Sequence, residues 1–477
     1  MDTTQQVLDI FEQLSAVPRG SGREAKLARW LQERAEAHGF LWKADAAGNL
    51  LIRVPATTGY ESAPVIVLQG HMDMVCEKTP DSPHDFLKDP IHCIVEGDWL
   101  HADRTTLGAD NGIAIALSLA LAEDESVAHP PLELLFTVEE EVGIGGANLL
   151  KPGFITGKIL VNLDSEEEGS FIVGCAGGMK TFIRLPLTFE NPALKAAFHL
   201  RLSGLRGGHS GVDIHKHRGS ANKLLARTLA QLRKVSPLAL MSLNGGTAHN
   251  AISREAEVSF ACEVDMLPLI QQATQEFASA LNHEYSSAES GITLALTSVD
   301  VGRAATVADT DKAINLLMAL PHGVAEMSAS VEGTVETSNN LARIEIDEEA
   351  LKVVTSQRSS VMTRRDELTA RISAIALLAG ADVENSEGYP AWQPDMKSAL
   401  LQRSVDTYQA LFGKAPKVQM IHGGLECGII GATYGNMEMI SLGATIENPH
   451  SPTERMYIPS IERVWRYLVT FLQAYKY

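Results

Sequence analysis

The stretch Val65-Ile66-Val67-Leu68-Gln69-Gly70-His71-Met72-Asp73 constrains the fold more than any other part of the chain. Its β-branched run is apolar on both sides of an extended backbone. It therefore reads as a strand covered on both faces, the kind found inside parallel sheets. Residues two apart in a strand point the same way, so His71 and Asp73 leave its end together while Met72 turns aside. A neutral imidazole is a common metal ligand, and a nearby carboxylate fixes which ring nitrogen binds. Taken alone, the pair reads more readily as a capped strand end than as a site.

The surrounding chain gives that strand a context. Thr3 or Thr4 caps a helix with Val7, Ile10, Phe11 and Leu14 at helical spacing, and Pro18 stops it. Arg23–His38 reads as a second helix, closed by Gly39. Asn49–Val54, Leu132–Val138 and Lys158–Leu163 read as strands, and Leu107–Glu123 contains a helix. Strands alternating with helices predict an α/β domain with a mostly parallel sheet, whose ligands sit beyond the carboxyl ends of the strands.

From about Leu185 the pattern changes. Phe198–Leu202, Glu255–Asp265 and Ile292–Val299 read as alternating or exposed strands, with helices at Ser220–Lys234 and Asp311–Leu320. Near Gly388-Tyr389-Pro390 the first character returns, with a helix over Asp395–Phe412 and a strand over Lys417–Ile421. A split α/β domain over residues 1–184 and 388–477, with an α+β domain inserted over 185–387, follows from this. A chain of 477 residues is long enough for two such cores.

Net charge is −19, from 40 Lys+Arg against 59 Asp+Glu, which argues against nucleic acid and anionic membrane as partners. The five cysteines (Cys76, Cys93, Cys175, Cys262, Cys427) lack any CxxC spacing, the usage of a reducing compartment. Met1–Gln13 shows no basic-then-apolar leader pattern, and the longest apolar run, Gly112–Ala122, is too short to span a bilayer. A cytoplasmic location is the expectation.

Four further stretches carry ionisable residues where ligands are expected. Thr106-Leu107-Gly108-Ala109-Asp110-Asn111-Gly112 places Asp110 at a helix start, where a plain N-cap is the simpler reading. Val138-Glu139-Glu140-Glu141-Val142-Gly143 and Leu163-Asp164-Ser165-Glu166-Glu167-Glu168 put acids at the ends of buried strands, costly unless a cation compensates them or they form solvated turns. Glu447-Asn448-Pro449-His450-Ser451-Pro452 is a loop stiffened by two prolines around one imidazole. Together they give a His/Asp/Glu set suited to zinc, with cobalt or manganese possible. Of two adjacent acids, one can bind metal while the other accepts a proton.

The ordered motifs HMD, GADNG, EEEVG, NLDSE and NPHSP resemble those of the M20 family of co-catalytic zinc aminopeptidases, dipeptidases and deacylases. Gly174-Cys175-Ala176-Gly177-Gly178, Gly207-Gly208-His209-Ser210-Gly211 and His422-Gly423-Gly424-Leu425-Glu426-Cys427-Gly428 extend the likeness to a subfamily of Xaa-His dipeptidases over nearly the whole chain. The resemblance implies a split catalytic domain of phosphorylase/hydrolase-like α/β fold with an enlarged lid, and two zinc ions per chain. Asp110 would bridge them, His71 and Asp164 would complete one site, and Glu141 and His450 the other. Asp73 would orient His71, and Glu140 would be the general base for a metal-bridging hydroxide. A cis peptide after Asp110 is also implied. In the lid, His209 would stabilise the oxyanion and Asn250 would contact substrate. Arg358 would hold the substrate carboxylate, with Arg364 and Arg365 close by in sequence, and Gly424 would contact substrate through its backbone. The implied activity is hydrolysis of small Xaa-His dipeptides, β-alanyl-His included, by a homodimer. A broader dipeptidase or tripeptidase, or an N-acyl amino acid deacylase, would share the same core, and a metal-bearing binding protein without turnover is a remoter reading. The stretch Gly333-Thr334-Val335-Glu336-Thr337-Ser338-Asn339-Asn340 gains no role from the resemblance.

Overall fold

The structure is a computed structural model that describes residues 3–476. It forms two compact units: residues 3–175, 392–420 and 425–476 make the first, and residues 176–391 with 421–424 make the second. Among the described residues no helix is long and apolar enough to cross a membrane.

The first unit is built on an eight-stranded sheet. Its order is Leu41–Ala44, Leu50–Val54, Leu132–Thr137, Ile66–His71, Ile159–Asn162, Glu438–Ser441, Ser170–Cys175, Lys417–Ile421. The centre is parallel: Ile66 lies beside Leu132 on one side and Ile159 on the other, and Glu438 lies beside Ile159. Leu50–Val54 is antiparallel to Leu132–Thr137, and Ser170–Cys175 to Glu438–Ser441. Every residue of Ile66–His71 and Leu132–Thr137 is buried, which is why these runs are apolar without alternation. The helix Ala109–Glu123 is buried from Ala109 to Ala122 and is correspondingly apolar all round. Against it lies the stripe Val7, Ile10, Phe11 and Leu14 of the helix Thr3–Ser15, in the same core.

The second unit is an antiparallel sheet with helices. Its strands run in the order Thr293–Val299, Ala196–Ser203, Ala256–Cys262, Ala239–Gly245, Val335–Ile346, Ala350–Ser359, Gly177–Pro186, Asp382–Asn385, with Gly323–Met327 also paired to Val335–Ile346. Four helices, Ala221–Leu232, Leu267–Glu284, Val307–Ala319 and Met362–Leu378, share one apolar core with them.

Several elements differ from the sequence-based reading for local reasons. The strand Gly177–Pro186 pairs with Ala350–Ser359 and Asp382–Asn385, so this unit begins at residue 176, not 185. The helix expected from Asp395 starts at Ala399, because Ser398 Oγ accepts the Leu401 N–H at 3.3 Å. The helix expected from Asp311 starts at Val307, where Thr306 Oγ1 accepts the Asp309 N–H at 3.1 Å. The helix Leu267–Glu284 and the hairpin Val335–Ile346/Ala350–Ser359 were not anticipated.

Candidate metal centre

The ionisable residues of the first unit converge at the carboxyl ends of its central parallel strands. His71 ends one strand, Glu140 and Glu141 follow Leu132–Thr137, and Asp164 follows Ile159–Asn162. Asp110 opens the buried helix at a non-helical residue, and the Asp110–Asn111 peptide is cis, as the resemblance implies. His450 and Asn448 adopt positive φ, 58° and 54°, conformations that cost energy outside glycine and are found where a site over-determines the backbone.

Asp110 faces both histidines with different oxygens. Its Oδ1 lies 3.1 Å from His71 Nε2, and its Oδ2 lies 2.9 Å from His450 Nε2. His71 Nε2 is also 3.4 Å from Asp164 Oδ1, and His450 Nε2 is 3.1 Å from Glu141 Oε1. Two triads result, His71/Asp110/Asp164 and Asp110/Glu141/His450, each with ligand atoms within 4.8 Å of one another. A third grouping of the same kind joins His71 with Glu140 and Glu141.

Asp73 sits behind His71. Its Oδ1 is 3.3 Å from His71 Nδ1 and accepts the Glu140 N–H at 3.0 Å; its Oδ2 accepts the Glu141 N–H at 3.2 Å and the Ser21 hydroxyl at 2.8 Å. One buried carboxylate thus fixes the imidazole and the backbone of both following acids.

The charge balance of this cluster fits a cation. Asp164 Oδ1 and Glu141 Oε1 are buried and make no hydrogen bond, despite their nearness to the two imidazoles. Burial pushes Asp164 up to about 6, with His71 opposing and Asp110 and Glu141 adding. Burial also raises Glu140 well above the carboxylate range, with His71 opposing and Asp164 and Glu426 adding. Burial acts to depress His71, yet the facing carboxylates, Asp164 first, raise it well above its ordinary value. His450 is raised to about 11 by the facing carboxylates, Asp110 first and then Glu141, against its burial. Acids so crowded are stable as ions only with additional positive charge, and an N/O donor set of this kind suits a divalent transition metal.

Two carboxylates of this region were not singled out from sequence. Glu426 is fully buried; its Oε2 accepts Gln69 Nε2 at 2.5 Å and Thr137 Oγ1 at 2.9 Å, and burial pushes it up to about 7. Glu454, 2% exposed, accepts the backbone N–H groups of Leu107, Gly108, Ala109 and Asp110 at 2.7, 2.9, 2.8 and 3.3 Å. Arg19 binds the carbonyls of Met72 and Asp73 at 3.1 Å each, and that of Gly108. Glu454 lies four residues past His450, which was the available signal.

The second unit holds His209, Asn250, Arg358 and Gly424. His209 Nδ1 accepts the N–H groups of Gly211 and Val212 at 3.3 Å each, which leaves the proton of a neutral ring on Nε2. Burial lowers the His209 pKa, with Arg358 adding and Asp213 opposing. His209 and Ala251 are paired across a short antiparallel ladder, and the Asn250 carbonyl accepts the Ser210 N–H at 2.7 Å. Arg358, 7% exposed, gives Nη1 to Tyr389 Oη at 3.0 Å and leaves Nε without a partner. Arg365 is occupied by Asp366 and by the carbonyls of Gly178 and Tyr389.

A parallel-centred α/β unit with two carboxylate–histidine triads sharing one aspartate defines a metallohydrolase-type site. Residues 67–474 match the model of peptidase family M20/M25/M40, so the chain belongs to the M20 peptidases and is a hydrolase of peptide bonds. It is 41% identical over 471 residues to the cytosol non-specific dipeptidase of Escherichia coli (strain K12), covering 98% of this chain and 97% of that one. Among solved structures it is similar to the aminoacylhistidine dipeptidase of Vibrio alginolyticus, with a TM-score of 0.90, 38% identity, and 98% and 96% of the two chains covered. An aminopeptidase of Bacillus cereus, 16% identical with a TM-score of 0.59 over 99% of this chain and 98% of that one, shares the fold.

Proposed function

We propose that this chain is a two-zinc dipeptidase that hydrolyses Xaa-His dipeptides, β-alanyl-His among them, in the cytoplasm. The observation that carries the two-metal reading is Asp110, which turns one oxygen to each histidine. His71 and Asp164 would hold one ion, and Glu141 and His450 the other. Zinc, when bound there, polarises the scissile carbonyl and acidifies water. Five free cysteines agree with a reducing compartment.

The chain's own residues do the rest. Asp73 orients His71 and fixes the backbone of Glu140 and Glu141. Glu140 takes a proton from the attacking water and passes it to the departing amine; its burial supports a carboxylate basic enough for that task. His209, with its proton on Nε2, donates to the tetrahedral oxyanion. Arg358 pairs with the substrate's terminal carboxylate, and Asn250 and the Gly424 backbone position the peptide. The likeness to the Vibrio alginolyticus aminoacylhistidine dipeptidase supports the Xaa-His preference. A broader dipeptide repertoire is the second reading, and the non-specific dipeptidase of Escherichia coli favours it.

A substrate panel tests the proposal. β-Alanyl-His, Gly-His, Leu-Leu, Leu-Gly-Gly and N-acetyl amino acids are compared by kcat/KM. The His dipeptides should lead. Equal rates on Leu-Leu would establish the broader reading, and a lead for the tripeptide or the acetyl compounds would overturn both.

A further inference from the structure

The Gly333–Asn340 stretch, which gains no role from the family resemblance, enters the long strand Val335–Ile346. Thr337, Ser338, Asn339 and Asn340 are all buried there, each 2% exposed or less. Four consecutive polar side chains in the middle of a sheet need partners, and their partners are informative. Asn340 Nδ2 donates to the carbonyls of His249 and Ala251, at 3.0 and 2.8 Å, which are the two residues flanking Asn250. Ser338 Oγ lies 2.7 Å from His422 Nε2, two residues before Gly424. Residues opposite each other in an antiparallel pair share a face, and Ser338 lies directly opposite Arg358. Strand alternation puts Ser338, Asn340 and Arg358 on one face, while Asn339 turns to the other, where it meets Pro321 and Gln357. Asn250 is in turn tied to the His209 loop through Ser210 and through the His209–Ala251 pairing.

We propose that Asn340 and Ser338 are positioning residues for catalysis: Asn340 clamps the backbone on both sides of Asn250, and Ser338 holds the His422–Gly424 turn. One strand thereby sets the relative placement of His209, Asn250, Arg358 and Gly424. The proposal rests on the reading of these four as substrate-binding groups. The Asn340 amide fixes the peptide plane before Asn250 through the His249 carbonyl and the next turn of chain through that of Ala251. The Ser210 N–H holds the Asn250 carbonyl between them, so the Asn250 side chain is aimed; small displacements of such a group lower turnover sharply.

The test is a mutant cycle on the metal-loaded full chain, with β-alanyl-His as substrate and thermal unfolding measured alongside. Asn340→Ala and Asn250→Ala are made singly and together. Asn282→Ala, which removes an amide bound to the carbonyls of Ala278 and Ile292, is the matched control for a structural loss. The expected result is about a tenfold or larger fall in kcat/KM for Asn340→Ala, none for the control at a similar loss of Tm, and a double variant no worse than Asn250→Ala. Asn340→Ala with normal kinetics beside an impaired Asn250→Ala overturns the proposal alone, as does a double variant whose loss is the product of the two singles. A normal Asn250→Ala overturns the underlying reading of Asn250 and the proposed route with it. If Asn340→Ala does not fold, Ser338→Ala decides through the His422–Gly424 turn: a kcat/KM within twofold of wild type overturns the proposal.

Discussion

Glu454 receives the backbone N–H of Asp110, and with it those of the three residues before. The aspartate that faces both histidines is therefore held in place by a second carboxylate from the His450 loop. Partners of this kind tune metal affinity by about ten- to a hundredfold. Glu454→Gln, which keeps the shape but sets an NH2 group against backbone donors, should weaken metal binding by that order. Competition with a chromogenic chelator reads this directly, and affinity equal to wild type would show that the Asp110 loop holds without it.

Glu140→Ala should leave metal content unchanged and lower kcat by about a hundredfold or more, the usual contribution of a positioned general base. Metal analysis and turnover on one preparation check both halves. Full metal with normal turnover would remove Glu140 from the chemistry.

Stripping the metal should destabilise the protein as well as silence it. Asp164, Glu140 and Glu426 are crowded acids that burial already pushes up, and a ligand bound only by the folded state adds its binding free energy to stability. Chelator treatment should lower Tm by several degrees, and zinc should restore it. An unchanged Tm would mean that the cluster is compensated in some other way.

His322 gives a pH dependence independent of the metal centre. Its Nδ1 accepts the Leu341 N–H at 3.2 Å, and burial, with Lys223 adding, pushes the imidazole down to about 4. A histidine whose folded pKa lies below its unfolded value, about 6.5, binds more protons unfolded. Its contribution is complete above about pH 6.5, falls as the pH drops through that window, and is gone below about 4. The span is up to about 3 kcal/mol. Urea unfolding at pH 7.5, 5.5 and 4.5 should show His322→Asn losing less stability on acidification than wild type. Parallel slopes would reject the assignment.

The first unit's strands and its cluster of ionisable residues were legible for one reason. A strand buried on both faces has no polar alternation, so an ionisable residue at its end stands out; His71, Glu140, Glu141 and Asp164 all announce themselves this way. Glu454 and Glu426 stayed hidden because their partners are backbone N–H groups and neutral side chains 289 to 357 residues away in sequence. The start of the second unit was misplaced because Gly177–Pro186 is strand-like in either unit, and only its pairing with Ala350–Ser359 decides. Asn340 was opaque for the same reason: its meaning lies in which two carbonyls it reaches.

The strand Glu438–Ser441 lies between Ile159–Asn162 and Ser170–Cys175 in the first unit's sheet. During synthesis the two neighbours emerge more than 260 residues ahead of it, tens of seconds at about 5–20 residues per second. A nascent chain must keep that slot open until Glu438–Ser441 leaves the ribosome, and His450 arrives later still. Prematurely terminated products therefore carry a gapped sheet and only one histidine of the pair. Such a product exposes unpaired strand edges on either side of the gap, templates for pairing with another chain.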